Sequence, residues 1–334
     1  MCEFGDSGFA SQQTYVATLH IMAVLQVPIH LFGGYVILFR TPAKLAAVKW
    51  SMFFLHFWSS LLDITVCFLV IPYTIFPVPG GIPLGVLSIM SVPSFIQAFS
   101  LVVCGAFTGI SILGFFKNRC QSMKFGPFSQ SLKTRLGRYV HIGMNYTMTF
   151  CFMIPIYIKL PGRQESENYT ILTLPCIPEN IYKNEKFFLT STSVPFIYSM
   201  VGGLTVLITF QILFYVIYSV IELRKRIKKL SRVTSCLQRK FSNALYAQVS
   251  IPMIVYLFPM FYVFFTWTFD VFSQICNNLV FIFIALHGLL STITMFIVHK
   301  PYRECLKLII PRCPKWRKRS RVASVRDLHL SVII

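Results

Sequence analysis

The chain has 334 residues, 55% of them hydrophobic and 13% charged, with a mean hydropathy of +0.65 and a formal net charge of +20. Soluble domains carry roughly a quarter charged residues, so this composition excludes an ordinary globular protein. It also makes the positive charge a property of loops beside a membrane rather than a footprint for nucleic acid. Ten cysteines without regular spacing exclude a disulfide scaffold, and no Cys-x-x-Cys pair marks a zinc site.

Residues 1–14 carry Glu3 and Asp6 but no Lys or Arg. They lack the basic start and small-residue cleavage site of a signal peptide, and are expected to be an extracellular N-terminus. Seven apolar tracts follow, at about 15–39, 50–73, 93–116, 139–158, 194–221, 244–267 and 271–298. Each reaches the ~20 residues that a helix needs to cross the hydrocarbon core. They predict an all-α, integral membrane bundle of seven transmembrane helices over 15–298, followed by a basic tail over 299–334. The second tract is stopped by Pro72 and by the cluster Pro77, Pro79, Gly80 and Gly81; residues 82–90 are too short to cross and read as an ordered outer loop.

Between the fifth and sixth tracts lies ELRKRIKKLSRVTSCLQRK, residues 222–240, with eight basic residues. Only Lys159, Arg163, Lys183 and Lys186 fall in loops on the opposite side, leaving 27 of the 31 Lys and Arg on the side of the tail. Positive charge is retained on the cytoplasmic side during insertion, which predicts the N-terminus outside and the C-terminus inside. Asn168-Tyr169-Thr170 then falls in an outer loop, where a glycosylation acceptor belongs, whereas Asn145-Tyr146-Thr147 lies within a span.

His56, Ser60 and Asp63 stand at i, i+4 and i+7 in the second span, on one helical face. An intramembrane carboxylate is costly and faces the bundle interior or a water cavity. Asp63 therefore reads as an ion-binding or relay carboxylate, or as a structural hydrogen-bonding residue between helices. His287, Ser291 and Thr294 repeat the pattern in the seventh span, spaced as polar glue. Their spacing places no partners for a metal, and no cofactor or metal is expected. Pro252 and Pro259 share nearly one face of the sixth span and mark either a hinge or a static kink. Tyr262, Phe265 and Trp267, near that span's outer end, are candidates for an apolar ligand pocket. In the tail, apolar residues mixed with Lys and Arg suit the anionic inner leaflet, and Cys305 and Cys313 are either lipidation sites or free thiols. No motif of catalysis occurs: there is no Walker loop, H-E-x-x-H or G-x-S-x-G.

Several patterns occur in a specific order: Pro28-x-His30 with Gly34-Tyr35, Thr41-Pro42 with Val48-Lys49-Trp50 and His56, Asp63 with Pro72-Tyr73, and Pro93-x-x-x-Gln97. Asn118-Arg119, Leu174-Pro175-Cys176-Ile177-Pro178, Gln248 with Pro252, and Pro301-Tyr302-Arg303 complete them. In these the chain resembles nematode serpentine receptor class H chemoreceptors over residues 28–303. The resemblance implies a seven-helix, G protein-coupled receptor of the plasma membrane, in the ciliary membrane of sensory neurons, that binds a small environmental or pheromone-like molecule. The coupling surface it implies is Asn118 and Arg119 with Arg224, Lys225, Arg226, Lys228 and Lys229 of the basic loop. Lys117 replaces the acidic residue that rhodopsin-like receptors place before this Arg. A receptor disulfide would use Cys176, paired with Cys276 or with Cys2. A receptor dimer is a further expected partner state. An inverted ligand-gated channel would need a cytoplasmic N-terminus, against the Lys/Arg distribution, and a transporter would need repeated halves, which the five-and-two division lacks.

The sidedness is directly testable. An N-terminal tag is expected to stain on intact cells, a C-terminal tag only after permeabilisation, and glycosidase to shift a form bearing sugar at Asn168. Staining of the N-terminal tag only after permeabilisation would contradict the charge-based topology.

Overall fold

The structure, a computed structural model, describes residues 8–41, 46–125, 131–228, 231–298 and 302–304. Seven long helices among the described residues make the bundle: α1 (Gln12–Phe39), α2 (Ala46–Ile64), α3 (Ser94–Phe125), α4 (Leu132–Ile158), α5 (Gly203–Ile227), α6 (Arg232–Phe269) and α7 (Gln274–Val298). π-Helical turns extend α2 through Thr65–Leu69 and precede α5 at Tyr198–Gly202. Central α3 packs on α2, α4 and α5, while α7 packs on α1, α2 and α6. Large apolar side chains such as Leu31, Val206, Phe210 and Phe261 point outward and exposed, as a lipid-facing surface requires. Among the described residues, five helical segments are long and apolar enough to cross a membrane. α4 has a polar first turn, and only Leu257–Phe269 of α6 stands out as apolar.

The basic stretch at 222–240 is mostly helix rather than loop, since α5 continues to Ile227 and α6 begins at Arg232. It contains no Gly or Pro, and Lys, Arg, Leu and Gln are good helix formers. Ser231 caps the start of α6 by accepting from the Thr234 amide.

At the other end, strands β1 (Pro72–Ile75), β2 (Val78–Pro83) and β3 (Phe188–Leu189) form an antiparallel sheet in the order β1-β2-β3. Tyr73 pairs with Ile82 and Thr74 with Gly81, while Gly80 and Gly81 face Leu189 and Phe188. Glycine is needed at Gly81, because a Cβ there would meet the Tyr73 carbonyl oxygen at 2.3 Å. β2 is buried along its whole length, so its backbone needs partners other than water. β1 and β3 flank it, and side chains from the helices satisfy carbonyls of β1 and of the turn. Gln274 Nε2 donates to Thr74 O at 3.2 Å and Asn277 Nδ2 to Phe76 O at 3.1 Å. Tyr15 of α1 donates to Pro72 O at 2.9 Å, and Thr190 to Pro79 O. The hairpin is thereby a lid fastened to α1, α7 and the strand β3.

Cys176 is disulfide-bonded. Cys276 is a free, exposed thiol, as are Cys151 and Cys236, while Cys67, Cys104 and Cys120 are free and buried. The Cys176–Cys276 pairing is therefore not formed, because the residue at 276 faces outward from the first turn of α7; the partner of Cys176 lies outside the described residues. Asn168 is exposed on the helix Arg163–Thr173 of the same loop. Cys305 and Cys313 lie outside the described residues.

Candidate functional site

The site is built around Asp63, which is fully buried in the bundle. Four donors converge on its carboxylate. His30 Nε2 of α1 lies 3.2 Å from Oδ2, and His287 Nδ1 of α7 lies 3.0 Å from Oδ1. The backbone amides of Gly288 and Leu289 donate to Oδ1 at 3.3 Å and to Oδ2 at 3.0 Å. An ionised carboxylate has about four lone-pair sites, and all are met here. This is the arrangement that makes a buried charge tolerable, and it ties α1, α2 and α7 together.

The ring protons follow from the partners. His287 Nδ1 faces two acceptors, Asp63 Oδ1 and, at 3.3 Å, Ile284 O, so that nitrogen carries the proton. His56 Nε2 lies 2.8 Å from the His30 carbonyl oxygen and is protonated for the same reason. Thr292 donates its hydroxyl proton to Gly288 O at 2.8 Å, while its oxygen lies 3.4 Å from both His30 Nδ1 and His56 Nδ1. The Thr292 oxygen is then left as an acceptor. His30 thus stands between the two groups, with Nε2 on the Asp63 carboxylate and Nδ1 on the Thr292 hydroxyl.

Two glycines admit this packing. A Cβ on Gly288 would sit 2.5 Å from Asp63 Oδ2, and one on Gly33 would sit 2.8 Å from His56 Cε1. Small residues let membrane helices approach closely, and here they make room for the polar side chains.

Beside the cluster is a cavity of about 290 Å³ between the helices and beneath the lid. Its wall takes Leu62 from α2, Thr108 from α3, Met153 from α4, Thr209 from α5, Trp267 from α6 and His287 from α7. His287 thus borders the cavity while it binds Asp63. Pro259 is buried on the same wall.

At the basic end, Asn118 Nδ2 donates to Ser51 Oγ of α2 at 3.0 Å and its Oδ1 accepts from Arg138 of α4 at 2.8 Å. Arg119 Nη2 donates to Ser242 Oγ of α6 at 3.0 Å, joining α3 to α6. Lys117 is buried and lies 5.6 Å from the ring centre of Tyr215. Arg226 reaches Ser122 O at 3.5 Å, while Arg224, Lys225 and Lys228 are exposed.

The structure brings His56, Asp63 and His287 together. Ser60, on the same face of α2, has a buried hydroxyl without a partner among the described residues. Thr294 turns to its own helix and donates to Leu290 O at 2.7 Å, so Thr292 takes the expected position. Sequence reasoning missed His30, Thr292, Gly33 and Gly288. An ionisable residue inside a span was signal enough for His30. α6 runs unbroken through both prolines; the side chain of Pro252 and the whole of Lys229 lie outside the described residues. Of the aromatic candidates, Trp267 lines the cavity, Tyr262 instead donates to Asn277 Oδ1 at 3.0 Å, and Phe265 is exposed.

Asp63→Ala leaves two buried histidines without their acceptor and is expected to cost about 3–5 kcal/mol, with Asp63→Asn milder. Gly288→Ala is expected to lower the thermal midpoint of purified protein in nanodiscs far more than Gly143→Ala, where a Cβ meets nothing within 4 Å. Equal midpoints for the two glycine variants would contradict the close packing at Asp63.

Comparison with known proteins accords with this geometry. Residues 10–312 match the family described as serpentine type 7TM GPCR chemoreceptor Srh. The chain is also 24% identical over 293 residues to serpentine receptor class H-72 of Caenorhabditis elegans, covering 86% of this chain and 83% of the relative. The long apolar helices, with the family match over nearly the whole chain, describe a multi-pass, seven-span membrane protein of a receptor class rather than an enzyme, and the chain belongs to the Srh serpentine 7TM chemoreceptor family.

Proposed function

We propose that this receptor binds a small molecule in the lidded cavity and activates a heterotrimeric G protein at its basic end. The observation that carries this is His287, which borders the cavity and also holds the buried Asp63. A ligand that binds better to one helix arrangement shifts the population toward it, and no more than its differential affinity allows. In this reading the ligand presses on α6 and α7 from the cavity. The Asp63 cluster then carries the strain between α1, α2 and α7. At the far end, α6 moves away from α3 as the Arg119–Ser242 hydrogen bond opens, with Pro252 and Pro259 as the hinge.

The surface uncovered would take the G protein through Asn118, Arg119, Arg224, Lys225, Arg226, Lys228 and Lys229. The Lys/Arg distribution supports a lid facing outward and a basic end facing the cytoplasm, and in this reading the chemoreceptor works in the ciliary membrane of a sensory neuron. Asn168 is then a glycosylation site on the outer loop, and Cys305 and Cys313 are lipidation sites of the tail.

Losing one hydrogen bond between α3 and α6 shifts a two-state balance by about two- to tenfold. Ser242→Ala is therefore expected to raise ligand-free nucleotide exchange on a co-expressed G protein by about that factor. Arg119→Ala is expected to abolish ligand-evoked exchange at unchanged surface expression. Full exchange in the Arg119→Ala variant would contradict the proposed coupling surface, and ligand-evoked current without any G protein would contradict the receptor mechanism.

A further inference from the structure

The lining of the cavity constrains what enters it. None of the lining residues is Asp, Glu, Lys or Arg. A charged ligand would find no carboxylate, lysine or arginine on the wall to balance its ion in a low-dielectric site, which is costly. Amines, ammonium compounds and carboxylates are thereby disfavoured. The volume of about 290 Å³ is close to twice the ~150 Å³ that holds benzene in an engineered protein cavity, which corresponds to about a dozen non-hydrogen atoms.

The few polar groups of the wall are uneven in what they offer. Thr108 and Thr205 already donate their hydroxyl protons to Cys104 O and Val201 O, at 2.9 and 2.8 Å. Trp267 Nε1 on α6 and Thr74 Oγ1 on the lid are buried without a hydrogen-bond partner among the described residues. An indole nitrogen can only donate, so Trp267 calls for an acceptor. Trp267 also packs edge-on against Tyr198 at 4.7 Å and Phe76 at 5.8 Å between ring centres, where α6, the start of α5 and the lid meet. A ligand oxygen that draws the indole N–H toward the cavity therefore acts where these three elements touch.

We infer that the ligand is an uncharged, mostly apolar molecule of about a dozen non-hydrogen atoms with a hydrogen-bond-accepting oxygen, a ketone or ester, which accepts from Trp267 Nε1. This rests on the cavity being the receptor's ligand site. Buried donors without partners are rare in folded proteins, and each calls for an explanation. Here the explanation is the bound oxygen.

The experiment is direct binding to the full-length receptor in nanodiscs, read as a thermal-midpoint shift. The probes are pentyl pentanoate, dodecane, undecylamine and decanoate, with empty nanodiscs correcting for partition into lipid. Pentyl pentanoate is expected to bind best and the two charged probes worst. Trp267→Phe keeps the ring and removes the donor; it is expected to weaken pentyl pentanoate about tenfold while leaving dodecane unchanged. Ala98→Phe, on the cavity wall, is expected to remove binding of both. Tighter binding of the amine or carboxylate, or ester binding indifferent to both variants, would overturn the inference. Nucleotide exchange read in parallel separates the two readings. Ester binding without exchange sinks the signalling role and leaves the ligand class standing. Exchange evoked by a charged molecule, and indifferent to Ala98→Phe, keeps the receptor and sinks the ligand class.

Discussion

One carboxylate buried in an apolar bundle sets the terms for the rest of the receptor. Asp63 is fully buried, and without partners its charge would destabilise the fold by several kcal/mol. Every nearby feature serves that demand. α7 turns two backbone amides and His287 toward it, α1 contributes His30, and Gly288 and Gly33 thin the helices so that these groups come within reach. Membrane helices gain little from hydrophobic association with one another, so such polar contacts and close packing decide how α1, α2 and α7 sit.

The same helix joins the two ends of the molecule. Its first turns carry Gln274, Asn277 and Asn278, which hold the lid and, through Phe9, the start of the chain. Its middle borders the cavity at Ile284 and His287, and His287 with the amides of Gly288 and Leu289 holds Asp63. α7 therefore senses the lid, the cavity and the carboxylate at once. α3 does the corresponding work at the basic end, where Asn118 gathers α2 and α4 and Arg119 gathers α6. One α3–α6 link is an Arg–Ser hydrogen bond between a charged and a neutral group, beside the stacked rings of Phe116 and Tyr246. Such a bond is weaker than a buried ion pair, which suits a contact that opens and closes.

Much of this was legible in the sequence. Spans of apolar residues with flanking Lys and Arg report the bilayer itself, which is why the seven-helix bundle could be read from hydropathy alone. Asp63 stood out because a carboxylate inside a span is rare. His287 stood out for the same reason, but His30 and the neighbouring Thr292 did not, because they come from helices far apart in the chain: spacing along α7 favoured Ser291 and Thr294, while the angle at which α7 meets α2 selects Thr292. The lid was hidden for a similar reason. Pro72, Pro79, Gly80 and Gly81 read as chain breakers, yet prolines at strand ends and glycines at close backbone approaches are what a tightly covered hairpin uses. The disulfide shows the same limit, since Cys176 is bonded while Cys276, close to the same end of the bundle, is not its partner.

The most direct measurement is the distance between spin labels at Leu132 on α4 and Val233 on α6, both exposed at the basic end, in nanodiscs with and without pentyl pentanoate. In the wild-type receptor the ester is expected to lengthen this distance. In Asp63→Asn the ester is expected to bind but to leave the distance unchanged, because the carboxylate no longer ties α2 to α1 and α7. An equal lengthening in Asp63→Asn would show that the motion bypasses the buried cluster.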